Sequence, residues 1–279
     1  MSSERKSILC PNCRKLISAD EPKCPYCGLV RPGLHNMAGI VRKIFVANPV
    51  LTIIYVNVAF YVIALLLNPA GIFSGGGFFS FLSPSSQSLL LLGATGTYPV
   101  FGFGRYWSLF SASFLHGGIL HLGFNMMALY QLGPFVLHAF GFHRFFIIYV
   151  LTGVAGFALS LVFGVHFTIG ASASICGLIG AIAYYGKNRG GDYGQAIYKQ
   201  ALGWIVALII FGLIVPGINN WGHGGGVLSG ALIAFIIGYN EKKQETAGQK
   251  LMAYTCILIT LGVLIWSLTS AAIYVLSRL

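Results

Sequence analysis

Acidic side chains are scarce in this sequence: 279 residues contain six Asp and Glu against 17 Lys and Arg. All six, Glu4, Asp20, Glu21, Asp192, Glu241 and Glu245, fall in short polar segments and none inside an apolar run. This excludes an intramembrane aspartyl dyad, a carboxylate proton relay and a Ser-His-Asp triad. The motif His-Glu-x-x-His is absent too, which excludes a zinc metalloprotease of that type. Charge of either sign is low, at 8% of residues, where a soluble domain carries about 25%. With 56% hydrophobic residues, the chain is read as a membrane protein. No secretory signal peptide is expected, because the N-terminus is polar and no short apolar region with a cleavage site precedes the first cysteines.

The six cysteines do not form a disulfide framework, since Cys176 and Cys256 stand alone in apolar runs. The other four form two knuckles, Cys10-Pro-Asn-Cys13 and Cys24-Pro-Tyr-Cys27, separated by ten residues. Four thiolates so paired can surround one tetrahedral ion, and a module of residues 1–35 has no core of its own to fold around. Zinc is the first choice, with iron in a rubredoxin-like site as the alternative. Four protein ligands leave no open position, so a structural or adaptor role is expected, including docking of a cytoplasmic partner.

Apolar runs predict seven helices, at Val50–Leu67, Phe114–Phe140, Phe145–Val165, Ser172–Tyr185, Ala201–Val215, Trp221–Tyr239 and Leu251–Leu276, each read as a span. Between the first two lies a Gly-, Ser- and Phe-rich segment, Asn68–Tyr106. Its short apolar patches, Gly77–Leu82 and Ser88–Leu92, predict interfacial helices. Placing the N-terminus in the cytoplasm puts fifteen of the 17 Lys and Arg inside, leaving Arg105 and Arg278 outside. Topology and attraction to anionic lipid then account for the net charge of +11, and no nucleic-acid partner is required. The same orientation keeps the cysteine knuckles in a reducing compartment.

Few polar groups remain at membrane depth. His121 and Asn125 are i and i+4 and share a helix face, with His116 just before them. His223 opens the run Trp221-Gly222-His223-Gly224-Gly225-Gly226. Ser172 opens another, in Gly170-Ala171-Ser172-Ala173-Ser174-Ile175-Cys176-Gly177. Each has a structural alternative: histidines and serines can be interhelical hydrogen-bond glue, paired histidines can hold haem, and Ser is a favoured helix cap. The predicted topology brings the starts of the Ser172 and His223 helices and the His121 turn to one depth on the outer side. Small residues recur every four positions, at 173, 177 and 181 on one helix and at 222, 226, 230, 234 and 238 on the other. Packing 173/177 against 222/226 would set Ser172 beside His223, and a separation beyond about 4 Å would count against a Ser-His pair.

These residues together resemble the rhomboid family of intramembrane serine proteases, over roughly residues 45–240. The features in common are Arg105-Tyr106-Trp107, the series His116, His121 and Asn125, the pair Gly170 and Ser172, and His223 followed by small residues. The resemblance implies an all-α polytopic fold with a six-helix core. It implies Ser172 as nucleophile, His223 as general base, and His121 and Asn125 as oxyanion donors, with His116 and Gly170 in support. The segment before Trp107 corresponds to the family's loop that lies partly in the outer leaflet. The sequence departs from the family pattern at Ala173, where Gly usually follows the nucleophile. Its methyl is expected to press on the His223 helix, with Gly222 giving back the volume.

The expected organisation is a zinc-ribbon-like module at 1–35, a linker at 36–49, a catalytic core at 50–240, and a loop with a seventh transmembrane helix at 241–279. No cofactor beyond structural zinc is expected. The expected substrates are transmembrane segments of other proteins, and the expected location is a prokaryotic cytoplasmic membrane. Because no carboxylate is available to orient His223, packing is expected to fix its ring, through an aromatic such as Tyr184 or Tyr185 or through another residue that the sequence does not identify. Two other functions compete: a rhomboid-like protein that binds membrane clients without cleaving them, and a transporter or haem-bearing electron carrier.

Overall fold

The computed structural model describes residues 7–10, 13, 15–18, 20–30, 32, 48–68 and 82–277. It divides into two compact units, Met1–Tyr55 and Val56–Leu279. Arg42, Lys43, Gly75–Gly77 and Arg278 lie outside the described residues, as does all but Leu82 of the patch Gly77–Leu82.

In the first unit, β1 (Ser7–Leu9) and β2 (Leu16–Ser18) pair antiparallel, with Ile8 opposite Ile17. The hairpin continues into the first knuckle, where the Cys10 N–H donates to Lys15 O at 2.9 Å. Gly28, at φ 75°, turns the second knuckle back so that the Cys24 N–H reaches Leu29 O at 2.8 Å. Ile17 is buried with Cys10 and Cys24 in a small core. The helix α1 (Pro49–Leu66) begins on Asn48, whose Oδ1 accepts the Leu51 N–H at 3.2 Å, with proline at the first helical position.

The second unit is helical. After the short α2 (Ser86–Leu91) and α3 (Ser108–Ser111) come five long helices: α4 (Ile119–Phe140), α5 (Phe142–Val162), α6 (Ser172–Arg189), α7 (Gly191–Ile214) and α8 (Asn220–Ile237). The last long helix is α9 (Ala247–Leu276). By length and composition α1, α5, α7 and α9 can each cross a membrane. The chain is an integral, multi-pass membrane protein. The remaining long helices, α4, α6 and α8, are diluted by the glycines and polar residues discussed below. The patch at 88–92 is largely helical, as α2. The helix expected from Phe114 starts instead at Ile119, because residues 112–114 form a 3-10 turn and Leu115 is extended ahead of Gly117-Gly118.

Every residue from Ala173 to Ile182 is buried, so α6 is the central helix, surrounded by α4, α5, α7 and α8. Glycine makes the contact between α6 and α8. A Cβ on Gly226 would lie 2.2 Å from Ala173 O, one on Gly230 2.0 Å from Gly177 O, and one on Gly180 2.0 Å from Val227 O. The register is therefore 226 on 173 and 230 on 177, one helical turn from the expected 222/226 contact. Gly222 packs on α5 instead, where a Cβ on Gly156 would meet Gly222 O at 2.6 Å.

At the opposite end of α6, Arg144 sits fully buried in the first turn of α5. Its guanidinium donates to Gln249 Oε1 (3.0 Å), Asn240 Oδ1 (3.3 Å), Lys243 O (2.8 Å) and Gln244 O (2.9 Å). Glu245 covers the start of α5: its Oε1 accepts the His143 N–H at 2.9 Å, and its Oε2 lies 2.7 Å from His143 Nδ1. Thr246 and Gln249 then close a capping box on α9. Partial burial pushes the Glu245 carboxyl up, but hydrogen bonds from His143 and the Arg144 backbone outweigh it and hold it below its ordinary 4.5. A depressed carboxyl stabilises the fold above its unfolded value, and that contribution is lost as pH falls through the lower, folded value. The apparent melting temperature in detergent should thus drop on acidification below 4.5. Glu245→Gln should melt lower at neutral pH and respond less to acid; parallel acid curves for the two proteins would contradict this.

Candidate active site

Ser172 is the first residue of α6, half-buried, and its position is set by the preceding turn. Gly170 takes φ 121°, a conformation open to glycine, and its N–H donates to Ala112 O at 2.9 Å. A side chain at 170 would collide with the His121 ring, since a Cβ there would lie 2.8 Å from Nε2 and 3.6 Å from Ser172 Oγ. Upstream, Thr95 and Thr168 exchange both backbone hydrogen bonds, at 3.1 and 2.7 Å, and tie this segment to the chain ahead of α3.

The Gly117 N–H donates to His121 Nδ1 at 3.3 Å. In a neutral ring the proton is therefore on Nε2, which lies 2.8 Å from where a Cβ on Gly170 would stand. Asn125, one turn further along α4, donates one amide proton to His121 O at 2.8 Å and has the other left for the cavity. His116 is fully buried with its ring edge-on to His121, centroids 5.0 Å apart. It lies behind His121 and does not line the cavity.

His121, Asn125, Ser172 and His223 line one cavity of about 440 Å³. Apolar walls come from Phe124, Phe167, Leu208, Phe211 and Val215. Among the described residues no hydrogen bond joins Ser172 Oγ to His223. Such bonds are commonly long without substrate and tighten when it binds. His223 Nδ1 is buried without a hydrogen-bond partner. Ser174, two residues after Ser172, points away from the cavity toward Gly153 on α5.

Two expectations about how the site is supported are corrected. The Ala173 methyl lies toward Gly156 of α5, at 3.0 Å from where a Cβ on that residue would stand, and packs with Ala112 and Phe157. Space for it comes from Gly156, and Gly222 is not the compensating position. Tyr184 and Tyr185 do not approach His223: Tyr185 donates to Glu241 Oε1 at 2.8 Å near the far end of α6, and Tyr184 packs on Phe235 and Tyr239. Among the residues sequence reasoning missed, Cys176, Thr168 and Asn219 also line the cavity. Asn219, four residues before His223, was the one with a readable signal, as a favoured helix cap.

Residues 104–240 match the family model described as the Rhomboid domain. The chain carries a rhomboid domain. It is 32% identical over 189 residues to Rhomboid protease GluP of Bacillus subtilis, an alignment covering 67% of this chain and 37% of that protein. It is 32% identical over 202 residues to RHOMBOID-like protein 4 of Arabidopsis thaliana, covering 65% and 50%. Against Rhomboid-like protease 3 of Toxoplasma gondii it is 26% identical over 189 residues, covering 66% and 71%. The chain spans between 37% and 52% of the length of the first curated relatives it matches. All four residues that line the cavity as site candidates fall inside the matched rhomboid segment.

In the N-terminal unit, all four cysteine sulfurs lie within 4.8 Å of one another, with Cys10 to Cys27 at 3.6 Å and Cys13 to Cys24 at 3.7 Å. A tetrahedron with metal–sulfur bonds of about 2.3 Å has edges of about 3.8 Å. The cluster therefore fits a tetrahedral thiolate-bound ion.

Proposed function

We propose that this rhomboid protein is an intramembrane serine endopeptidase that cleaves transmembrane segments of other proteins with a Ser172–His223 dyad. What carries this is the convergence of Ser172, His223, His121 and Asn125 on one cavity. Ser172 Oγ attacks the scissile carbonyl carbon as His223 Nε2 takes its proton. The carbonyl oxygen, now an oxyanion, accepts from His121 Nε2–H, the second Asn125 amide proton and the backbone at the start of α6, where the helix dipole is positive. Collapse of this intermediate breaks the C–N bond, and His223 returns the proton to the leaving amine. Water then attacks the acyl-enzyme with His223 again as base, releasing the acid and restoring Ser172. His116 supports His121 from behind, and Gly170 leaves room for it.

The site lies at the end of the bundle away from the Arg144 cluster. With the basic loops at the cytoplasmic face, cleavage occurs near the outer face of a prokaryotic cytoplasmic membrane. A single-span reporter reconstituted with the protein in liposomes should be cleaved by wild type and left intact by Ser172→Ala; no cleavage by wild type would leave a client-binding role.

The four-cysteine module holds one structural zinc. Cys10, Cys13, Cys24 and Cys27 supply the thiolates, and the ion contributes folding energy to a unit with a minimal core. Metal analysis of the purified protein should find about one zinc per chain, lost in a Cys10→Ser, Cys24→Ser variant. Iron in that position, with the colour of a rubredoxin-like centre, would overturn the choice of metal.

A further inference from the structure

We propose that Asn219 is a positioning residue that sets the height of the His223 helix against the segment leading to Ser172. This rests on the protease function proposed above. Among the described residues His223 Nδ1 has no hydrogen-bond partner and no carboxylate lines the cavity, so no acid holds the ring in orientation. Its placement must come from the backbone of α8, and the first turn of α8 closes on Asn219. The Asn219 carbonyl accepts the His223 N–H at 3.1 Å, and its Oδ1 accepts the Gly222 N–H at 2.9 Å.

The remaining donors of the same side chain reach two other segments. Asn219 Nδ2 donates to Ser160 Oγ of α5 at 2.8 Å and to Thr168 Oγ1 at 2.9 Å. Thr168 is four residues before Ser172 and is itself locked to Thr95. Ser160 donates onward to Gly156 O at 2.8 Å, and Gly156 is where the Ala173 methyl and the Gly222 carbonyl meet α5. One amide thus uses both donors and its acceptor to join the base helix, the nucleophile segment and the helix packed behind both. Asp would lose the tie to Ser160, and Ser would lose the reach.

The test uses the full chain in liposomes, with two readouts: turnover of a transmembrane reporter, and the rate at which a small fluorophosphonate labels Ser172. Asn219→Ala should lower kcat and the labelling rate together by about 10- to 100-fold, the scale of a misplacement near 1 Å, with KM unchanged. Asn219→Asp should recover much of the rate, because it keeps the Gly222 cap and can accept the Thr168 hydroxyl proton. It loses the tie to Ser160, whose proton already goes to Gly156. Thr168→Val, a near-isosteric change outside the helices, should give a smaller loss in both readouts and covers the case of an unstable Asn219→Ala. Wild-type labelling in Asn219→Ala or Thr168→Val, or a change in KM alone, would overturn the inference while leaving the protease function standing. A wild type that neither labels nor cleaves would remove both.

Discussion

Ser172→Ala is expected to lower cleavage of a reconstituted transmembrane reporter by at least about 10⁴-fold, and His223→Ala by a similar factor. The double variant should be no worse than either alone. A nucleophile and its base act as one unit: without the imidazole the Ser172 proton has no acceptor, and without the hydroxyl the imidazole has nothing to activate. Additive losses would mean that the two residues serve separate steps. Asn125→Ala should fall between these and wild type, at about 10² to 10³, the usual cost of one oxyanion donor. His121→Ala should cost more than Asn125→Ala, because the ring also fills the space left by Gly170 and backs onto His116.

The second large effect comes from a single methyl group. Gly230→Ala should prevent α6 and α8 from seating and remove activity along with folded protein. Helix propensity alone predicts the opposite, since Gly to Ala inside a helix gains roughly 0.5–1 kcal/mol. Here the added carbon would stand 2.0 Å from Gly177 O, a backbone atom of the central helix that cannot rotate aside. Overpacking of this kind typically costs about 1–3 kcal/mol and sometimes more, so the clash outweighs propensity. Gly224→Ala is the control, because nothing lies within 4 Å of its Cβ position. It should melt at or slightly above the wild-type temperature. Equal behaviour of the two variants would show that the glycine stripe does not hold the helices together.

Much of this architecture was legible in the sequence, for identifiable reasons. Long apolar runs announce helices, and the i, i+4 spacing of His121 and Asn125 puts them on one face whatever the tertiary fold. The register between α6 and α8 was not legible. Positions 222, 226 and 230 are spaced by four residues, and each such step advances about 40° beyond a full turn. A stripe that looks continuous in sequence therefore winds around the helix, so that Gly222 meets α5 while Gly230 meets α6. The burial of Arg144 was not legible either, because the groups it donates to lie about a hundred residues later, in the segment 240–249. An aromatic support for His223 is what the sequence suggests, whereas the side-chain hydrogen bonds at the start of its helix come from the Asn219 amide. Of the three helices carrying Ser172, His223, His121 and Asn125, none is among those apolar enough to span by composition; glycines and polar side chains dilute α4 and α8, and Lys187-Asn188-Arg189 at its far end dilutes α6.

The most direct test of the Ser172–His223 assignment is fluorophosphonate labelling of the wild-type protein in liposomes, with the modified residue located by mass spectrometry. A single adduct on Ser172, absent in His223→Ala although that variant melts like wild type, is the predicted result. An adduct on another serine, or undiminished labelling of Ser172 without His223, would contradict the dyad.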